Sequence, residues 1–278
     1  MPKVVITGAA GGIGQATAKL LWQKGFDLVL TDLSEEALRK AFPHLPKGSS
    51  VEVLDVTVLS QWESLAQRHP DTDILIQMAG VMRAGFFPDQ PVEEWHLQQQ
   101  VNLNGVIYGA RTFGQLFLQR GTGHIINIAS LAGVAPIPGI TGYTATKFAV
   151  RGFSLALDME LRSKGVPVTV ICPGPVATPL IFNELPKPES VYTLSAGGLL
   201  APEAVARSIW RAIRRRPREI LLPFHKAFAA RLVSIFPQLL GWAPQLFEKS
   251  AAKRRIKHLR QILPETTSSS PTIQSVPH

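Results

Sequence analysis

The sequence predicts an α/β fold, a doubly wound parallel sheet with helices on both faces, followed by a helical extension. Three observations predict it. Short β-branched runs alternate with segments of helical spacing from residue 3 to residue 222, as in successive βαβ units. Those runs are almost wholly apolar, as strands covered on both faces must be. The first run opens directly into a glycine-rich loop and a helix. With 278 residues, 45% of them hydrophobic and 18% charged, the chain suits one such domain and an appendage.

Taken in order, residues 3–7 form the first strand. Gly8, Gly12 and Gly14 follow in a Gly-x-x-x-Gly-x-Gly loop that includes Ile13. A helical pattern then runs through Ala18, Leu21 and Trp22 until Gly25 ends it. Residues 27–31 are the second strand, with Asp32 at its carboxyl end, and residues 34–41 a helix opened by a capping-box-like Ser-Glu-Glu-Ala. Residues 51–54 form a strand ending at Asp55, residues 61–69 a helix, and residues 74–77 a strand ending at Ala79-Gly80. Helical spacing covers 92–100 and 102–119, then 125–128 is a strand that delivers Ser130. A helix over 143–164, a strand over 166–171, a helix over 202–216 and a strand over 219–222 complete the pattern.

In open parallel sheets the ligand sits beyond the carboxyl ends of the strands, where the strand order reverses. Gly8, Asp32, Asp55, Gly80, Ser130 and Pro173 should therefore meet in one crevice. Small residues in the first loop let the backbone approach a pyrophosphate, whose charge is favoured at a helix N-terminus. Asp32 can accept both ribose hydroxyls of an adenosine and would repel a 2′-phosphate. Neither Thr31 nor Leu33 beside it offers a cation, so the expected cofactor is NAD rather than NADP. Tyr143 and Lys147 are four apart and share one helix face. An ammonium beside a phenol favours the phenolate, one route to a general acid/base near neutral pH. A lone Tyr-x-x-x-Lys is far more often a solvated helix face; its weight comes from the rest of the chain.

Over residues 3–222 the chain resembles the short-chain dehydrogenase/reductase family. The motifs that carry this stand in the family's order: Thr7-Gly8-Ala-Ala-Gly-Gly12-Ile-Gly14, Asp55-Val56, Asn102, Ser130 with Tyr143 and Lys147, and Pro173-Gly174-Pro-Val-Ala-Thr178. The resemblance implies a Rossmann-like sheet and hydride transfer between NAD and an alcohol or ketone. It also implies Ser130, Tyr143 and Lys147 as catalytic residues and Asn102 at a helix bend, positioning a proton-relay water. Asp55 and Val56 would flank the adenine, and Pro173, Gly174, Val176 and Thr178 the nicotinamide. Lys147 would hold the ribose and lower the pKa of Tyr143. Where the family has Asn-Asn-Ala-Gly, this chain has Gln77-Met78-Ala79-Gly80. The Ala79-Gly80 pair that admits the adenosine ribose is kept, and Gln77 is expected to replace a strand-tying asparagine. A homo-dimer or homo-tetramer through the helices at 102–119 and 143–164 is also implied.

Composition narrows the remaining choices. The single cysteine, Cys172, excludes an internal disulfide and fits a reducing, cytoplasmic setting. No metal site is expected, because the seven histidines lack ligand-like spacing. No leader or spanning segment is expected either. Residues 179–200 are rich in Leu, Ile, Phe, Val and Tyr and read as a lid suited to a lipophilic or secondary alcohol. Met82, Phe86 and Phe87 lie at the same end; the alternative is that all of these simply pack the lid on the protein. Residues 1–210 hold 16 Lys+Arg against 17 Asp+Glu, whereas residues 211–278 hold 13 against 3.

Residues 223–263 carry two apolar stripes, Phe224 to Leu239 and Ala252 to Leu263, the second facing a row of Lys and Arg. Docking on the lid or another subunit is the preferred reading. Peripheral contact with an anionic membrane is the alternative. Nucleic acid is not expected, since the aromatics lie on the stripe and not among the charges. Residues 264–278 are expected to be disordered. Two rival functions remain: an NADP-dependent ketone reductase, and a nucleotide-binding interaction protein without catalysis, against which the complete Asn102, Ser130, Tyr143 and Lys147 set argues.

Overall fold

The computed structural model describes residues 1–194 and 198–236, together with Gln238 and Ile256. Its strands are β1 (Lys3–Thr7), β2 (Asp27–Asp32), β3 (Ser50–Val53), β4 (Ile74–Gln77), β5 (His124–Ile128), β6 (Val168–Pro173) and β7 (Glu219–Leu222). All pair in parallel, in the order β3-β2-β1-β4-β5-β6-β7. The order reverses between β1 and β4, which sets the ligand crevice there.

Helices cover both faces: α1 (Gly12–Gln23), α2 (Glu35–Ala41), α3 (Leu59–Arg68), α4 (Val92–Gln99), α5 (Gly105–Arg120), α6 (Thr141–Leu161), α7 (Pro179–Phe182), α8 (Pro202–Arg215) and α9 (Phe224–Ile235). Side chains alternate along each strand, so two cores form. Val4, Ile6, Leu28, Leu30 and Ile76 pack with Leu21 of α1 and Ile209 of α8. Val5, Val29, Leu75 and Ile125 pack with Trp62 of α3 and Phe113 and Phe117 of α5.

Several boundaries differ from the sequence reading. The strand expected at 51–54 is Ser50–Val53, and the one expected at 166–171 is Val168–Pro173. A continuous apolar run carries no phase by which to fix its ends. Ser34 is not in its helix but caps it, accepting the Ala37 N–H at 3.1 Å. The third residue of that helix is Ala37, so the reciprocal half of a capping box is missing. The helices expected at 92–100 and 102–119 are one rod, α4 and α5, joined by a π-helical turn over Gln100–Asn104. The helix expected at 143–164 begins at Thr141 and ends at Leu161, followed by a 3₁₀ turn over Arg162–Lys164 and Gly165 at φ 84.

In the extension, α9 carries the first apolar stripe as far as Ile235. Apart from Ile256, the second stripe, the adjoining Trp242 and Phe247 and the tail over 264–278 lie outside the described residues. Among the described residues no helix is long and apolar enough to cross a membrane.

Candidate active site

The glycine loop is shaped by contacts that a side chain would block. Gly8 has φ +66, and a Cβ there would lie 2.8 Å from Ala79 Cα, so the loop rests directly on the end of β4. A Cβ on Gly14 would meet the Ala9 carbonyl oxygen at 2.4 Å. No side chain caps the start of α1, and its first turn holds no acid. Its first N–H groups are thus left for an anion. This bare cradle fits a dinucleotide pyrophosphate.

At the end of β2, Asp32 accepts the Ala10 N–H at 3.0 Å through Oδ2 and the Leu33 N–H at 2.9 Å through Oδ1. Each carboxylate oxygen keeps a lone pair for a ribose hydroxyl. Asp55 Oδ1 holds the Thr57 N–H at 2.9 Å and the Thr57 hydroxyl at 2.7 Å, a local turn that sets Val56 against the crevice. Thr7 Oγ1 accepts the Met78 and Ala79 N–H groups at 3.1 and 3.2 Å and so fixes the strand ends of β1 and β4 together. Gly80 faces Lys147; a Cβ there would lie 3.8 Å from Nζ.

Gln77 is buried on β4 and does tie strands. Its Nε2 donates to Asn127 Oδ1 on β5 at 2.9 Å and to the Val106 carbonyl at 3.1 Å. Asn127 passes the link to Ser154 of α6 at 2.9 Å.

Ser130 Oγ accepts the Ala132 N–H at 3.1 Å and donates to the Pro173 carbonyl at 3.5 Å. Lys147 Nζ donates to the Ile128 carbonyl at 3.0 Å and lies 5.5 Å from the centroid of the Tyr143 ring. Both side chains are buried. The expected lowering of the tyrosine pKa by the lysine is not what burial produces. Desolvation pushes the Tyr143 phenol up to about 12, with the nearby Ser130 hydroxyl opposing it. Desolvation also brings Lys147 down to about 8. One of the lysine's three N–H donors goes to a carbonyl, and its charge is disfavoured in the same medium that disfavours the phenolate.

The residues expected to act together line one cleft of about 700 Å³. Gly8, Gly12, Ile13, Gly14, Asp32, Asp55, Val56, Ala79, Gly80, Ser130, Tyr143, Lys147, Pro173, Gly174, Val176 and Thr178 all face it. Asn102 is the exception. It is wholly buried in the π-helical turn, accepting the Val81 N–H at 2.8 Å and donating to the Val81 carbonyl at 2.8 Å and to Thr146 Oγ1 at 3.2 Å. Its side chain clamps the loop after β4.

The substrate end of the cleft adds residues that sequence reasoning missed: Arg83, Leu97, Val101, Ile137, Ile140 and Thr193. Only the place of Arg83, just after Met82 beyond a strand end, could have signalled its part. Of the residues expected there, Met82, Leu180 and Ile181 line the cleft, whereas Phe86 and Phe87 do not, and Phe87 is exposed. Leu185 and Leu194 are buried and pack the lid against Met82, Ile140 and Tyr143. Glu184 latches the lid: it accepts the Ala84 N–H at 2.8 Å, while Lys187 bridges it and the Ala84 carbonyl at 3.0 and 3.2 Å.

A glycine cradle at the switch point of a parallel sheet, an acid at the end of β2 and a buried Tyr–Lys pair with a serine make a site that could hold a dinucleotide beside an acid/base group. The chain belongs to the short chain dehydrogenase family, whose pattern it matches over residues 2–188. It is 37% identical over 186 residues to "Probable oxidoreductase EphD" of Mycobacterium tuberculosis, covering 64% of this chain and 31% of that protein. It thus spans about a third of that relative's length. An uncharacterized oxidoreductase of Staphylococcus aureus is 34% identical over 214 residues, 75% of this chain and 89% of that one. A short chain dehydrogenase/reductase from Burkholderia phymatum, solved in complex with NAD, superposes with a TM-score of 0.76. It is 29% identical and covers 86% of this chain and 95% of that one. Serine dehydrogenase complexed with NADP+ superposes with a TM-score of 0.72 at 28% identity, covering 79% and 94%.

Proposed function

We propose that the chain transfers a hydride between NAD and a lipophilic or secondary alcohol, with Tyr143 as the general acid/base. The observation that carries this reading is the position of Tyr143, Lys147 and Ser130 where the nucleotide cleft meets an apolar pocket of Met82, Val101, Ile137, Ile140, Leu180 and Ile181. Bound NAD supplies the hydride acceptor and a positive ring. Tyr143 then takes the alcohol proton as hydride leaves, and Ser130 hydrogen-bonds the substrate oxygen while its charge develops. Lys147 holds the cofactor ribose and its positive charge favours the phenolate. Since burial leaves Tyr143 protonated at neutral pH, it is already set to donate a proton to a ketone; oxidation needs the added positive charge.

NAD is preferred over NADP because the two oxygens of Asp32 meet the ribose and no cation adjoins them in sequence. The runner-up is an NADP-dependent ketone reductase. The unit at 1–222 is the catalytic domain and 223–263 an extension. Self-assembly into a dimer or tetramer uses α5 and α6, and Phe148 and Met159 of α6 are exposed. The setting is cytoplasmic, in keeping with the buried free thiol of Cys172.

The test is turnover of a panel of lipid and steroid alcohols with NAD and with NADP, for the wild type and Tyr143→Phe. The variant is expected to lose about 10²–10⁴-fold in kcat while still binding cofactor. Unchanged turnover would remove Tyr143 from the chemistry, and a strong preference for NADPH would establish the runner-up.

A further inference from the structure

We propose that α9 docks the protein on an anionic lipid surface. A helix on the outside of a globular domain ordinarily buries its large apolar side chains and turns polar ones to water. α9 does the reverse. Its inner face is small, with Ala227 buried and Ala230 half-buried in the cluster that contains Val170, Cys172 and Leu221. Its outer face carries Phe224 (81% exposed), Phe228 (59%), Leu232 (41%) and Ile235 (66%) at i, i+4, i+8 and i+11. Phe236, just past the last turn, is 52% exposed. Among the described residues these side chains stay exposed, and a contiguous apolar patch of this kind marks an interaction site.

Charge identifies the occupant. α9 contains Lys226 and Arg231 and no acid; Arg231 pairs with Glu219 and Lys226 donates to the Gly198 carbonyl, while residues 211–278 as a whole hold 13 Lys+Arg against 3 Asp+Glu. The preceding 210 residues are balanced, 16 against 17. An apolar stripe in the strongly basic part of the chain suits a helix lying in the plane of a membrane, held by insertion and by anionic headgroups. Two copies meeting through the same face would set like charges against each other. The helix also begins beside the cleft. Pro223 Cδ lies 3.5 Å from where a Cβ on Gly174 would stand, and Lys226 Nζ donates to the Gly198 carbonyl at 3.1 Å, next to the lid. The docking face thus adjoins the cleft, although the docking itself does not depend on what the cleft turns over.

The experiment is co-sedimentation of the full chain with phosphatidylcholine vesicles, with and without phosphatidylserine. Binding is expected only with phosphatidylserine, is expected to weaken as salt rises, and is expected to fall about tenfold or more in Phe228→Glu/Leu232→Glu. Phe224→Ser, a milder change at the most exposed of these positions, repeats the comparison. Gel-filtration volume and circular dichroism should be unchanged in both variants. Absence of binding, equal binding to neutral vesicles, or binding indifferent to the substitutions overturns the proposal. A variant that elutes as a smaller species also overturns it, because the face is then a contact between copies.

Discussion

Tyr143 and Lys147 share a buried site, and burial favours the neutral form of each, the phenol at about 12 and the amine at about 8. In the proposed reaction, proton removal by Tyr143 near neutral pH therefore needs charge beyond that of the pair. His124 shows the same force with a purely structural result. Thr169 Oγ1 donates to the Pro217 carbonyl at 2.5 Å, so it must accept from His124 Nε2, 2.9 Å away. That fixes the neutral tautomer and leaves Nδ1 buried without a partner. Desolvation brings the His124 pKa down from 6.5 to about 3. Between those values the unfolded chain binds a proton that the folded chain refuses. Stability is therefore lost as pH falls from 6.5 toward 3, by about 1 kcal/mol per pH unit. His124→Gln keeps an N–H donor for Thr169 and cannot titrate. From pH 7 to pH 4 it should lose about 3 kcal/mol less than the wild type in urea unfolding. Equal losses would show that His124 is not held neutral.

At the scale of elements, α5 meets β4 and α3 at Gly109. A Cβ there would lie 2.2 Å from Gln77 Oε1 and 2.6 Å from the Trp62 ring. The absent side chain makes room for the longer residue at position 77, so that the strand tie survives the loss of an asparagine. Gly109→Ala gains about 1 kcal/mol of helix propensity. Overpacking against Gln77 and Trp62 costs about 1–3 kcal/mol, and more when two neighbours must move. The net expectation is a loss of about 1–2 kcal/mol in denaturant unfolding; a variant as stable as the wild type would mean the contact is soft. This pairing could not be read from the sequence, because nothing local connects Gly109 with Gln77. What could be read was anything anchored to a strand end: Gly8, Asp32, Asp55, Gly80, Ser130 and Pro173 converge because the sheet carries them there. Arg83, Ile137 and Ile140 lie in loops whose course depends on tertiary packing. The side-chain clamp of Asn102 depends on a π-helical turn that periodicity cannot distinguish from an ordinary helical break.

At the scale of the molecule, the cleft spans the switch point and joins two groups of elements. One end is built from β1, β2 and the loop after β3, the other from β4, β5, β6 and α6, and in the proposed function these hold the adenosine and the reacting groups. A ligand lying across both binds only the folded chain. At a hundredfold excess over its Kd it adds about 2.7 kcal/mol. For a chain of this size each kcal/mol raises Tm by about 2–4 °C, so NAD should raise it by about 5–10 °C. NADP at the same concentration should raise it less, because its 2′-phosphate meets the Asp32 carboxylate. Asp32→Ala removes both the hydroxyl acceptors and the repulsion, and it also frees the Ala10 N–H. Its unliganded Tm should therefore fall somewhat, so each shift is measured from the variant's own baseline. On that baseline the NAD shift should shrink and the NADP shift should grow until the two are similar. Equal shifts in the wild type would remove Asp32 as the discriminating residue, while leaving the cleft intact as the cofactor site.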